Sequence, residues 1–371
     1  MKKFLKTKKS VIFLLGHWTI GGVERVTVIV ANELLRRGWK VGVVAFEIVN
    51  PNLLKLLNER VDVSELSFPA YSMRNMRDLR SLMKRRSVSI VVNQWSVPAP
   101  ITMMLRIAAP HGAKIIAFHH TAPNRNKRVM ESRGFKRVLY EVAFKLNLKL
   151  VYWLCDAYVV LSESYRRVFK DAAGVRLVTK VCAIPNPVNS CGDESVKKEN
   201  LILYIGRMDR TEKRVDRVID VWRRLEPLMR DWRLELLGDG PDRVDLEAYA
   251  AGLPRISFRG FCDPSPYLQR AKLLLLTSEF EGFGMVIIEA MSARCVPVVY
   301  GSFLSAKDII RNGNGVIVPM PWNCDEFSRA VLDLSMNEEL MKNMAEAGYL
   351  SVDRFSPQKI VDQYEALFAK V

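Results

Sequence analysis

Cysteine is sparse and dispersed in this chain of 371 residues: the six stand at Cys155, Cys182, Cys191, Cys262, Cys295 and Cys324, with no C-x-x-C pair. That spacing excludes a disulfide-stapled scaffold and a zinc ribbon, and it points to a reducing compartment. No eighteen successive apolar residues occur, so no helix is expected to span a bilayer. Internal repeats and low-complexity tracts are missing too, which excludes solenoids and collagen-like or wholly disordered chains. Residues 2–9 carry five lysines ahead of the apolar run 11–15, as in a secretory leader. The run is too short, ends in Gly16-His17-Trp18 and lacks a small-residue cleavage site, so it is expected to be a buried strand. What remains is a packed protein with the length of two domains.

Acidic residues are few in the first half and ordinary in the second. Residues 1–190 hold 32 Lys and Arg against 12 Asp and Glu, whereas residues 191–371 hold 24 against 28. A basic surface on one half implies an anionic partner, whether nucleic acid, anionic lipid or a phosphate-bearing substrate.

Short β-branched runs recur along the chain, at residues 11–15, 40–46, 89–94, 114–120, 157–161 and 181–184, then 201–205, 233–237, 256–259, 272–276, 296–300 and 315–318. Each is separated from the next by enough chain for a helix. Runs without alternation indicate strands buried on both faces, as in parallel sheets covered by helices. The expectation is an α/β chain of two doubly wound domains, parted near residue 190 by a Pro-containing segment. Thr211 is placed to cap a helix whose apolar stripe Val215, Val218, Ile219 and Trp222 reads as core packing.

Ligands of open parallel sheets sit beyond the carboxyl ends of the strands, so the residues there are the first candidates. After the first strand come Gly21 and Gly22, at the start of a helical pattern, able either to turn tightly or to bring backbone N–H groups to an anion. Gly206-Arg207 follows the seventh expected strand, with Lys213 six residues later, two cations able to converge on a pyrophosphate. After residues 272–276 comes Glu281-Gly282-Phe283-Gly284-Met285, with Glu289 eight residues beyond Glu281. The glycines permit close backbone approach at a helix start, and carboxylates suit sugar or ribose hydroxyls. His119 and His120, two of four histidines, end another strand; either could face the ligand, since a one-residue shift reverses the face.

Together, Glu281-x₇-Glu289 with its glycines, Gly206-Arg207, Lys213 and Gly21-Gly22 resemble the retaining glycosyltransferases of family four, or group 1. The resemblance covers nearly the whole chain. Gly238-Asp239-Gly240-Pro241, Arg259-Gly260-Phe261 and Ala290-Met291-Ser292 add to it. It implies the GT-B fold: two Rossmann-like doubly wound domains facing each other across a cleft, residues 1–190 binding the acceptor and 191–356 the donor. A last helix, within 357–371, would return to the first domain. By that resemblance Arg207 and Lys213 neutralise a donor diphosphate, Glu281 holds hydroxyls of the transferred sugar and Glu289 accepts from the ribose. Gly282, Phe283, Gly284 and Met285 present backbone to the phosphates, Phe261 lies at the donor, and Gly21 and Gly22 complete the enclosure. His120, in His120-Thr121-Ala122-Pro123, is first choice for the histidine near the reacting sugar, His119 the second.

The expected function is metal-independent transfer of a hexosyl or N-acetylhexosaminyl unit, with retention, from a nucleotide-diphospho-sugar to a hydroxyl of a glycan or lipid-linked acceptor. A UDP-sugar is the expected donor; no cofactor or metal is implied, and no D-x-D occurs. Such work belongs to surface polysaccharide, lipopolysaccharide or capsule synthesis in the cytoplasm. Arg125, Lys127, Arg128, Arg133, Lys136, Arg137, Lys145 and Lys149, interleaved with apolar residues, form a basic amphipathic stretch. It reads either as a peripheral contact with the anionic inner face of the cytoplasmic membrane or as a solvated helix with a core face. A nucleic-acid-binding protein is the alternative from another class, disfavoured by the lack of a helix-turn-helix, RNP or finger motif. A GT-B-like phosphorylase or sugar-nucleotide epimerase is a third.

Overall fold

The computed structural model describes residues 9–95, 98–124, 129, 132–190, 192 and 195–371. Cys191 and the basic residues Arg125, Lys127 and Arg128 lie outside them. The chain forms two compact units, one of residues up to Pro187 together with Pro357–Val371, the other Val188–Ser356.

The first unit holds β1 (Ser10–Trp18), β2 (Lys40–Ile48), β3 (Asp62–Glu65), β4 (Ile90–Asn93), β5 (Lys114–His119), β6 (Ala157–Val160) and β7 (Val181–Ala183). They form one parallel sheet in the order β3-β2-β1-β4-β5-β6-β7. The second unit repeats the plan with β8 (Glu199–Ile205), β9 (Arg233–Leu237), β10 (Ile256–Gly260), β11 (Ala271–Leu276), β12 (Val296–Tyr300) and β13 (Val316–Val318), ordered β10-β9-β8-β11-β12-β13. These six strands are also parallel. In each sheet the winding reverses once, between β1 and β4 and between β8 and β11, which opens a crevice at the strands' carboxyl ends.

The central strands are apolar along their length because helices cover both faces. Val11, Phe13, Leu14 and Val92 are buried in the first sheet, and Leu201, Ile202, Leu203 and Leu274 in the second. Helix Val215–Leu225 buries the stripe Val215, Val218, Ile219 and Trp222 completely, which makes it core, each large side chain contributing about 1.5–3 kcal/mol. Helix Pro357–Lys370 packs in the first unit. Tyr364 stacks on Phe118 at 5.6 Å between centroids, and Arg37 donates to Asp362 and Glu365 at 2.6 and 2.9 Å. Among the described residues no helix is long and apolar enough to cross a membrane.

Two sequence expectations need correction. β3 was not anticipated, because Asp62-Val63-Ser64-Glu65 is a polar edge strand without an apolar run. Thr211 does not cap the helix of the second unit, which begins at Val215 after Arg214 in a left-handed conformation (φ 52°). The cap fails there because the amides of residues 211–213 are already gathered by Asp209, as described below.

Candidate active site

The second unit's crevice is built from the loops that follow β8, β9, β10 and β11. Backbone bonds tie them together: Gly206 N–H donates to Leu237 O (3.0 Å), Met208 N–H to Asp239 O (2.9 Å) and Gly238 N–H to Gly260 O (2.8 Å). The strands can approach this closely only through glycine. A Cβ on Gly238, whose φ is +134°, would lie 1.9 Å from the carbonyl oxygen of Gly206, and one on Gly240 would lie 2.4 Å from that of Met208.

Asp209, buried on this platform, organises the segment that carries both cations. Its Oδ1 accepts from the backbone N–H groups of Thr211 (3.1 Å), Glu212 (2.7 Å) and Lys213 (2.9 Å), and its Oδ2 accepts from Arg207 Nε at 2.7 Å. Burial works to raise its pKa, but the Lys213 amide and the Arg207 guanidinium hold the carboxyl below its usual range. Lys213 thus precedes the helix and does not lie within its first turn. Its Nζ reaches across the crevice to Glu281 Oε1 at 2.6 Å, and Ser278 Oγ donates to the same oxygen at 2.8 Å. Arg207 also donates to Glu212 through Nη2, so its guanidinium meets two acidic side chains.

The loop after β11 is fixed on both sides. Glu279 N–H donates to Glu212 O (2.7 Å), Thr277 Oγ1 to Arg214 O (2.9 Å), and Ser302 Oγ to Ser278 O (2.6 Å). Phe283 is buried and its carbonyl accepts from Ser305 Oγ at 3.0 Å. Gly284 (φ 93°) then opens helix Met285–Ser292, with Gly282 and Met285 half-buried before and after it. Glu289 is half-buried and lies one turn beyond Met285, on the same helix face. Phe261 stands exposed just after β10. Arg207, Lys213, Glu281 and the start of helix Met285–Ser292 therefore share one crevice of the second unit.

In the first unit, Gly21 is the N-terminal residue before helix Gly22–Arg36, and the helix start is not empty. Glu24, buried in the first turn, accepts from the Thr19 amide (3.0 Å) and hydroxyl (2.8 Å), and a Cβ on Gly21 would lie 2.6 Å from its Oε2. The Glu24 carboxylate therefore lies beside Gly21 at this helix start.

The two histidines differ sharply. His119 is buried and fully engaged, with Nδ1 2.8 Å from Tyr158 Oη and Nε2 2.9 Å from Thr121 Oγ1. His120 stacks on Phe118 and pairs Nε2 with Gln94 Oε1, while its Nδ1 has no hydrogen-bond partner among the described residues. Gln94 is itself oriented, its Nε2 donating to Thr27 Oγ1 at 3.4 Å, and that hydroxyl donates to Val23 O at 2.8 Å. With Gln94 accepting through oxygen, His120 carries its proton on Nε2 and leaves Nδ1 as a bare acceptor. Burial, reinforced by His119, pushes the His120 pKa down to about 3, and burial alone takes His119 to about 4, so both rings are neutral near pH 7.

Comparison with known proteins gives the family. Residues 20–190 match Glycosyltransferase Family 4, and residues 192–351 match Glycosyl transferases group 1. The chain belongs to the group 1 glycosyltransferases. Its fold is GT-B: it superimposes with a TM-score of 0.77 on Anabaena HepE solved in complex with UDP and glucose, over 98% of this chain and 100% of that one, at 16% identity. In sequence it is 26% identical over 383 residues, covering 98% of this chain and 99% of the relative, to a Campylobacter jejuni enzyme. That enzyme is GalNAc-alpha-(1->4)-GalNAc-alpha-(1->3)-diNAcBac-PP-undecaprenol alpha-1,4-N-acetyl-D-galactosaminyltransferase. It is also 28% identical over 222 residues to an exopolysaccharide phosphotransferase of Streptomyces coelicolor, where the match spans 58% of this chain and 23% of that protein.

For a group 1 glycosyltransferase, the residues that hold the site in shape were harder to find than those that point into it. Asp209, Ser278, Gln94 and Thr27 were not singled out in the sequence. Gln94 and Ser278 lie just past the carboxyl ends of β4 and β11, the position at which ligand residues are expected. Nothing in local sequence signals that Asp209 collects three amides or that Glu24 folds back over Gly21.

Proposed function

We propose that this glycosyltransferase moves a hexosyl or N-acetylhexosaminyl unit, with retention of configuration and without a metal, from a nucleotide-diphospho-sugar to a hydroxyl of a glycan or lipid-linked acceptor. The observation that carries the reading is the Lys213–Glu281 ion pair at 2.6 Å, set beside Arg207 at the reversal point of the donor-side sheet. Lys213 and Arg207 place positive charge where a departing diphosphate becomes more negative, and the start of helix Met285–Ser292 adds backbone N–H donors. Glu281, already aligned by Ser278 and Lys213, accepts from sugar hydroxyls. Glu289, on the Met285 face, accepts from the ribose.

In the reaction the bond between the anomeric carbon and the diphosphate oxygen breaks, and the acceptor oxygen bonds to the same face of that carbon. The hydroxyl proton passes to the departing phosphate oxygen. A double displacement would need a carboxylate nucleophile, and Glu281 is held instead by a lysine and a serine. His120, neutral and with no partner for Nδ1 among the described residues, is the first unit's candidate acceptor for a sugar hydroxyl. UDP is the favoured nucleotide because HepE was solved with it, and assembly of a lipid-linked glycan is the favoured setting because the Campylobacter enzyme is named for an undecaprenol-linked acceptor.

A thermal-shift screen of nucleotide-sugars tests the donor, since a ligand at 100 times its Kd stabilises the fold by about 2.7 kcal/mol. The hit is then incubated with acceptor and chelator, and the first-formed product is read by proton NMR at its anomeric position. Inverted configuration, or activity lost to chelator, would refute the corresponding part of the proposal; salt-sensitive nucleic-acid binding with no nucleotide-sugar turnover, or epimerisation without acceptor, would refute it entirely.

A further inference from the structure

Helix Gly134–Leu154 of the first unit has two apolar faces, and only one of them is used by the fold. Leu148, Val151 and Tyr152 are buried against the unit. On the other side Phe135, Leu139, Val142, Leu146, Leu150 and Trp153 follow one another at intervals of three and four residues, which aligns them along a single stripe. Each of these six is between 41% and 81% exposed. At a rise of 1.5 Å per residue the stripe runs about 27 Å. A soluble monomer rarely presents a contiguous apolar strip of this kind to water.

The charges around the stripe identify what covers it. Helical spacing puts Lys136 along one flank and Lys145 and Lys149 along the other, and Glu141 is the one acidic residue of the helix. A second copy packed on the same stripe would bring these lysines against their own counterparts. An anionic bilayer accepts both features at once, burying the apolar side chains at the acyl boundary while the lysine stems lie along it and their ammonium groups reach phosphates. The first half as a whole, with 32 basic residues against 12 acidic, is attracted to such a surface at long range.

We propose that this helix docks the enzyme on an anionic membrane, lying in the plane of the interface with Phe135, Leu146 and Trp153 inserted. The purpose of docking, access to a lipid-linked acceptor, rests on the proposed function; the binding itself does not. The test is flotation of the full chain with vesicles of equal parts phosphatidylglycerol and phosphatidylcholine, against phosphatidylcholine alone. The wild type should float with the anionic vesicles at low salt. A Phe135→Ser, Leu146→Ser, Trp153→Ser variant should lose at least about tenfold in partitioning, because three apolar insertions are gone. A Lys136→Gln, Lys145→Gln, Lys149→Gln variant should lose the preference for anionic lipid. Both sets change exposed side chains, so unaltered melting and an unaltered nucleotide-sugar thermal shift will show that the fold and the donor site are intact. Wild-type protein that stays unbound at low salt, or a serine variant that floats like wild type, would overturn the proposal. So would a dimer, seen by light scattering, that the serine variant dissociates. Failure of any donor to bind would count against the transferase reading and leave flotation to be judged by itself.

Discussion

Lys213 Nζ lies 2.6 Å from Glu281 Oε1, joining the loop after β8 to the loop after β11 by a partly buried ion pair. The pair keeps an ammonium group at the crevice without letting it move into solvent. Replacing Lys213 by Ala is expected to lower kcat by about 10²–10³-fold, the usual cost of one charged transition-state partner, while costing about 1–3 kcal/mol in stability because the buried Glu281 carboxylate loses this counter-ion. Steady-state kinetics and urea unfolding of the variant check both halves. Equal losses in rate and stability would make the lysine a structural strut.

Asp209 should act indirectly, through Arg207. Its Oδ1 gathers three amides and its Oδ2 takes Arg207 Nε, so Asp209→Asn sets an amide donor against the arginine and leaves it without that acceptor. Stability should fall by about 1–3 kcal/mol, and donor affinity should fall with it because Arg207 loses its orientation. Denaturant unfolding and a nucleotide-sugar thermal shift measure the two effects together.

The contrast between these residues also marks what could be read without coordinates. Arg207, Lys213, Glu281 and Gly284 follow apolar runs that only a buried parallel strand explains, so their place at strand ends could be reasoned out before their contacts. The polar edge strand Asp62–Glu65 carries no such signal, since it pairs with β2 through backbone, helped by Glu65 Oε1 accepting from the Ile48 amide. The histidines show the same limit at finer scale. Their strand end was legible, but which imidazole is spent on internal bonds depends on Tyr158 and Gln94, distant in sequence and aligned only by the sheet.

Gly238 marks the tightest approach in the second unit's platform. An alanine there would bring its Cβ to 1.9 Å from the Gly206 carbonyl oxygen, on a backbone with φ of +134°. Gly252 has φ +80° but open space around it, so Gly252→Ala isolates the conformational strain. Gly238→Ala should destabilise by more than about 3 kcal/mol and abolish donor binding, and Gly252→Ala by about 1–2 kcal/mol with donor binding kept. Comparable melting temperatures for the two would mean that the β8 and β9 loops can part without cost.

The buried histidines predict an acid-sensitive fold. Burial pushes His119 to about 4, and burial together with His119 pushes His120 to about 3, from a usual value near 6.5. Above pH 6.5 both rings are neutral in the folded and unfolded chains, and their environment costs nothing. As pH falls below 6.5 the unfolded chain takes up protons that the folded chain refuses, so stability drops, and the drop continues until the folded rings titrate near 4 and 3. Each ring contributes up to about 1.4 kcal/mol per pH unit in that window. Urea unfolding at pH 7, 6 and 5 should show the decline, and His119→Gln, which keeps polar atoms near Tyr158 and Thr121, should remove about half of it between pH 6 and 5. Over the same range kcat should not titrate with an imidazole pKa near 6.5, because His120 stays neutral with Nδ1 bare. A flat stability profile in the wild type would mean that both rings reach water, and His120 would then be an ordinary surface imidazole with no fixed tautomer to offer a sugar.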